Sequence, residues 1–175
     1  MIIPSKYKEN KQDRPKIRPV MGPADWVLEI IALLLILGYF GYLLYYYPKL
    51  PATIPSHFNG SGEADGYSDR GTIWALPGIA LFTYLLLTVV ARAPHTFNFT
   101  QKITPQNALY QYTLALRLIR SIKVLTTCIF LAISFAMVSM ATKQTTGLGL
   151  WFIPIFIALT FLPVIAYLIL ASRKN

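Results

Sequence analysis

Trp26-Val27-Leu28-Glu29-Ile30-Ile31-Ala32-Leu33-Leu34-Leu35-Ile36-Leu37-Gly38-Tyr39-Phe40-Gly41-Tyr42-Leu43-Leu44-Tyr45-Tyr46-Tyr47 holds a single charge, Glu29, placed near its start. Counted from Val27, the run is 21 residues long. At ~1.5 Å of rise per residue a helix of that length covers ~31 Å. That matches the ~30 Å hydrocarbon core of a bilayer. The run is also too long, and begins too far along the chain, for the apolar region of a signal peptide. It reads as a retained first membrane span.

Three further runs have the same character. They cover about residues 72–91, 121–142 and 148–171, giving four spans with the first at about 27–47. Pro77 falls in the first turns of the second span, where a missing N–H costs least. Pro154 and Pro163 should bend the fourth, which neighbouring groups can accommodate in a membrane. Across all 175 residues, 55% are hydrophobic and 13% charged, about half the usual charged share of ~25%. Too little polar chain remains to cover four such runs in water. A soluble enzyme, a disordered chain and a coiled coil are poor fits. The fold expected is an all-α polytopic membrane bundle, residues 27–175, behind a basic tail of residues 1–26.

The net charge of +9 would suggest nucleic acid in a soluble chain, but here the cations flank apolar runs, so no nucleic-acid partner is expected. Residues 1–26 carry Lys6, Lys8, Lys11, Arg14, Lys16 and Arg18, whereas 48–71 carry Lys49 and Arg70. Residues 92–120 carry Arg92, Lys102, Arg117 and Arg120, with Lys123 just beyond, and 143–147 carry Lys143 alone. The positive-inside rule then puts both termini and the middle loop in the cytoplasm. Trp26, Tyr45, Tyr46, Tyr47, Trp74 and Trp151 lie at span ends, as an aromatic belt requires. The proline-rich tail is expected to bury no core of its own and to lean on anionic lipid.

The middle loop changes character at Thr104-Pro105, a helix N-cap followed by proline at the first helical position. Leu109, Tyr112, Leu116 and Ile119 then recur at helical spacing. An amphipathic cytoplasmic extension of the third helix follows, with Arg92, Arg117, Arg120 and Lys123 as expected lipid-headgroup contacts. Glu29, one turn inside the first span, should pair with Lys123, Arg92 or Arg120. Cys128, Ala132 and Ala136 recur every four residues and suggest a close-packing face.

Residues 48–70 form the loop expected outside. Pro48, Pro51 and Pro55 stiffen its lead-in, Thr53 to Phe58 can form a short strand, and Gly60, Gly62 and Gly66 supply tight turns. Phe58 and Tyr67 are expected to pack on the helix ends. His57, Glu63, Asp65 and Asp69 are candidate ligands for a divalent metal, although one imidazole is thin for zinc and the glycine spacing of a calcium loop is absent. The competing reading has His57 bonded to loop backbone, or to Asp65 or Asp69. Neither a GxSxG elbow nor a second histidine accompanies His57 on that side. Catalysis is therefore not expected, and no cofactor is implied.

Pro51, Pro55, His57, Phe58, Asn59, Gly62, Glu63, Asp65 and Gly66 stand in an order that resembles the signature of the membrane family described as domain of unknown function 1648. The resemblance extends through Pro94-His95, Phe97-Asn98, Asn107 and Gln111-Tyr112 to Arg120, and covers about residues 27–125. It implies that the loop joins two membrane helices and that the chain resides in a bacterial inner membrane. It also implies a distant relation to toxin-immunity membrane proteins of a sporulation-delaying system, although this chain lacks their further C-terminal spans. The expected function is a non-enzymatic membrane protein. Its partners are the lipid bilayer and a peptide or membrane protein at the outer loop. Immunity or signalling is the alternative, and a small transporter subunit the second alternative.

Overall fold

The computed structural model describes residues 11–144 and 147–173. Lys6 and Lys8 of the basic tail, and Lys174, lie outside the described residues. Helix α1 spans Pro23–Tyr46, strands β1 and β2 span Thr53–Phe58 and Ala64–Asp69, and helices α2, α3 and α4 span Ala75–Val90, Ala108–Ala141 and Phe152–Ser172. Four helical segments are long and apolar enough to cross a membrane: Pro23–Lys49, Arg70–Val90, Ala108–Ala141 and Phe152–Ser172. The chain is a multi-pass membrane protein in length and composition. Its bundle has a hairpin end and a terminal end, where residues 11–22, 92–107 and 171–173 gather.

Local chemistry sets the boundaries. Pro23 opens α1, and the Gly22 N–H donates to the Asp25 carboxylate at 2.9 Å, so one of the helix's unpaired first-turn donors is satisfied. Pro48 stands in the short 3-10 turn that closes α1. Before α3, the Thr104 N–H donates to Asn107 Oδ1 at 2.9 Å and the Asn107 N–H to Thr104 Oγ1 at 3.4 Å. Thr104 therefore caps the turn as its sequence position suggests, while regular helix begins three residues after Pro105.

The interior divides along its length. At the hairpin end the core is apolar, built from Ile36, Leu43, Leu50, Ile54, Ile73, Ala80, Met137 and Val138. Midway, the Tyr39 hydroxyl donates to the Phe130 carbonyl at 2.9 Å and pairs with Ser134 Oγ. At the terminal end the interior holds the charged groups Asp25, Arg120 and Lys123 together with a small apolar cluster of Ile103, Ala108 and Tyr112. Helix α4 stands apart from this core. It packs on α3 and exposes nearly all its side chains, with Ala171 its one buried residue.

Several expectations are corrected. The loop between the first two spans is a two-stranded antiparallel sheet, so the fold is helical with one β-hairpin and not purely α. The tail after residue 10 is docked: Arg14 is buried and donates to the carbonyls of His95 and Phe97, while Lys11 reaches Thr96 O and Asn98 Oδ1. Guanidinium and ammonium donors thus satisfy the carbonyls of the 94–98 turn, a source of order that low apolar content does not reveal. Early in α3, Leu109 is exposed while Gln111 and Ala115 are buried, because the Gln111 amide reaches the Ala171 carbonyl at 3.0 Å. Cys128 and Ala132 line an open cleft between α3 and α4. The tightly packed face of α3 is the one through Lys123, Thr127, Ser134 and Val138.

Candidate functional site

The hairpin is ordered from its own residues upward. Asn59 organises the tip: its Oδ1 accepts the N–H groups of Ser61 and Glu63, and its Nδ2 donates to Glu63 Oε2. Gly62 sits at φ +79°, where a side chain would be strained. Its carbonyl accepts the Leu148 N–H at 2.8 Å, which ties the tip to the α3–α4 connection. Register slips on either side of His57, which faces Gly66. A Cβ on Gly66 would stand 2.9 Å from the Cβ of His57, so the glycine makes room for the imidazole. His57 Nδ1 lies 2.5 Å from Asp65 Oδ1, with the His57 side chain largely in solvent and that of Asp65 partly so. At the far end, Asp69 accepts the Gly71 N–H at 2.7 Å and Arg70 reaches the Leu50 carbonyl.

The sequence placed four candidate metal ligands here, and the hairpin brings only two together. Asp65 and Asp69 stand four residues apart on one strand, ~13 Å at ~3.3 Å per residue, and Glu63 is held by Asn59. Among the described residues no group of three or more His, Cys, Asp or Glu could hold a metal ion. The alternative reading of His57, bonded to Asp65, is the observed geometry. Phe58 packs on the apolar core, whereas Tyr67 is exposed and does not. Pro55 and Gly62 are buried and Pro51 is exposed.

Beneath the hairpin lies a cleft of about 480 Å³, walled by Ser56, His57, Phe58, Leu76, Met137 and Phe152, among others. Small-molecule pockets run to ~300–1,000 Å³. The walls are mostly apolar, with Ser56, His57, Asn59 and Thr72 as their polar members, and come chiefly from β1, α2, α3 and α4.

A second constellation occupies the terminal end. Lys123 Nζ donates to both oxygens of Glu29, at 2.9 and 2.8 Å, and to Thr88 Oγ1 at 2.9 Å. Arg120 bridges Glu29 and Asp25, at 3.3 and 3.0 Å, and Arg117 Nε reaches Asp25 at 3.2 Å. The Lys123 side chain is 1% exposed and that of Arg120 10%. Both were expected at the headgroups; both are instead turned inward onto carboxylates, because a cation at this depth is costly without a counter-ion. Arg117 is partly exposed and Arg92 exposed. The pairing expected for Glu29 forms with Lys123 and Arg120. Asp25 was missed, as was Thr88. A signal existed: Asp25 and Glu29 stand four apart, and Arg117, Arg120 and Lys123 three apart, so each set lines one helix face.

Four candidate spanning helices, a β-hairpin between the first two and a buried ion-pair network at the opposite end define a multi-pass membrane protein. Residues 34–81 match the family model described as Domain of unknown function (DUF1648). The match takes in most of α1, the whole hairpin and the start of α2, and it supports the family that the loop signature resembles. It stops short of the expected extension to residue 125. No curated protein and no solved structure matches the chain significantly.

Proposed function

We propose that this protein is a non-catalytic recognition protein of a bacterial inner membrane, with the hairpin outside and both termini cytoplasmic. The observation that carries the reading is a hairpin fixed at its tip, its face and its exit, roofing an apolar cleft of about 480 Å³. Preorganisation of this kind reduces the ordering cost of binding. Glu63, Asp65 and Asp69 are exposed along the hairpin. Acids above an apolar cleft suit a cationic amphipathic peptide, or a comparable segment of another membrane protein. The orientation rests on the distribution of Lys and Arg, with the terminal-end extension of α3 in the cytoplasm.

Binding of a labelled cationic amphipathic peptide to the protein in nanodiscs of neutral lipid tests this reading. Saturable binding that weakens in high salt and in E63Q/D65N is expected. Binding no greater than to empty nanodiscs would refute it. Immunity against a peptide toxin is the narrower use, supported by the resemblance of the loop signature; survival of toxin-challenged cells expressing the protein tests it.

A further inference from the structure

The ion-pair network is unbalanced. Its described ion pairs bring three cations, Arg117, Arg120 and Lys123, onto two carboxylates, Asp25 and Glu29. Each carboxylate is shared between two cations, which leaves one positive charge in excess. Burial decides where that charge can act. The side chains of Lys123 and Arg120 are 1% and 10% exposed, and that of Arg117 is 46% exposed. Arg117 is also the member with the least carboxylate contact, a single bond through Nε.

Depth and surroundings add two independent observations. Arg117 lies 24 residues before Ala141, the last residue of α3, or ~36 Å along the helix at ~1.5 Å per residue. A hydrocarbon core is ~30 Å thick, so if Ala141 marks one edge, Arg117 stands at headgroup level of the opposite leaflet. Arg117 also lines a cleft of about 200 Å³ between α3 and α4, with Leu114, Leu118, Ser121, Ala166 and Tyr167 among its walls. A cation at headgroup height, beside a mostly apolar cleft between two spanning helices, matches both halves of one kind of molecule.

We propose that Arg117 and the adjoining α3–α4 cleft form a binding site for an anionic phospholipid of the terminal-end leaflet. The phosphate takes the guanidinium N–H groups that Asp25 does not occupy, and an acyl chain enters between Leu114 and Ala166. The bound phosphate neutralises the excess charge, so the network is complete only with lipid in place. Nothing in this site draws on the hairpin, and the proposal stands or falls apart from the recognition reading.

Native mass spectrometry of the full-length protein, released from micelles doped equally with phosphatidylglycerol and phosphatidylcholine, tests it. The expected result is one retained phosphatidylglycerol in preference to phosphatidylcholine. Arg117→Gln should lower that preference about tenfold, the loss of one charge-assisted hydrogen bond. Lys143→Gln, a change at an exposed cation just past the opposite end of α3, should leave it intact. Ala166→Trp fills the cleft while keeping the charge, and should abolish retention in protein that stays monodisperse. Inorganic phosphate should not displace the lipid. Equal retention of both lipids by the unmodified protein, an unchanged preference in Arg117→Gln, or displacement by inorganic phosphate would each overturn the proposal.

Discussion

Replacing Glu29 with Leu strands Lys123, the most deeply buried cation among the described residues. Lys123 would lose both carboxylate contacts, at 2.8 and 2.9 Å, and keep the Thr88 hydroxyl and the face of the Tyr84 ring. Removing one partner of a buried pair costs ~3–5 kcal/mol, because the remaining charge is left uncompensated. Glu29 itself is 24% exposed, and Arg120 retains Asp25, so the lower limit of ~3 kcal/mol applies. In a chain of this size each 1 kcal/mol moves the unfolding midpoint by ~2–4 °C, which gives ~6–12 °C. The double variant E29L/K123M removes the charge and its partner together. Replacing a buried pair with apolar groups is near neutral or stabilising, so its midpoint should return to within ~3 °C of the unmodified protein. Thermal unfolding in one detergent, with all four proteins at one scan rate, measures the cycle. Additive losses in the double variant, or a Glu29→Leu midpoint unchanged within ~2 °C, would refute the account of a coupled buried pair.

Four further outcomes are expected. Gly147→Ala places a Cβ 2.6 Å from the Gly62 carbonyl oxygen, so it should free the hairpin tip and speed proteolysis at residues 59–63, while Gly38→Ala, with nothing within 4 Å, should not. His57→Ala removes the contact with Asp65 and should raise protease sensitivity of the hairpin without lowering the unfolding midpoint by more than ~1 kcal/mol equivalent, as expected for an exposed pair. Tyr39→Phe deletes the hydroxyl shared by Phe130 and Ser134 and should cost ~0.6–2 kcal/mol, the scale of interhelical hydrogen bonds in membranes, read from the same thermal scans. With Cys128 replaced, a cysteine at Ser61 should react with an impermeant reagent in intact cells and one at Gln101 should not; the reverse pattern would invert the orientation drawn from positive charge.

Spans are legible in sequence because a bilayer imposes a length and a composition, and both can be read without knowing any partner. The four runs inferred from residues 27–47, 72–91, 121–142 and 148–171 accordingly coincide with the four helices found: the first lies inside its helix, the second and third end one residue past theirs, and the fourth begins four residues early. Partnership across helices is a different kind of information. Asp25 and Arg120 are 95 residues apart, and nothing local to either distinguishes a buried network from two charged interfaces. Lys123 therefore carries two expectations, a headgroup contact and a pair with Glu29, because its distance from the span edge is similar in both cases; the structure forms the pair. The hairpin was half legible. Alternation suggested β1, whereas β2 carries Asp65, Gly66 and Asp69, residues depleted in strands, and exists because it pairs with β1 and is fastened at both ends. Tail docking was hidden for a related reason, since Arg14 and Lys11 bind backbone carbonyls of residues 95–97, which carry no side-chain signature.

These two ends of the bundle solve one problem by different means. Between apolar helices in lipid there is no hydrophobic driving force, so packing and polar contacts must set which faces meet. At the hairpin end the covalent turn between α1 and α2 sets their neighbourhood, and the apolar core fills in behind it. At the terminal end no short connection joins α1 to α3, and the charges do that work: a rotation or slide of α3 by one residue would carry Lys123 off Glu29 and Arg120 off Asp25 together. A buried pair contributes little net stability compared with apolar residues of the same volume, yet it penalises every wrong register by the cost of an unpaired charge. Helix α4 has no such constraint. Among the described residues, Gln101, Tyr110 and Gln111 donate to the carbonyls of Leu170 and Ala171 at its terminal end, while the α3–α4 clefts line the rest of its length. Helix α4 is thus held to the three-helix core by packing on α3 along its length and by polar contacts at its terminal end. Its side chains help to wall both the cleft under the hairpin, through Phe152, and the cleft beside Arg117, through Ala166 and Tyr167.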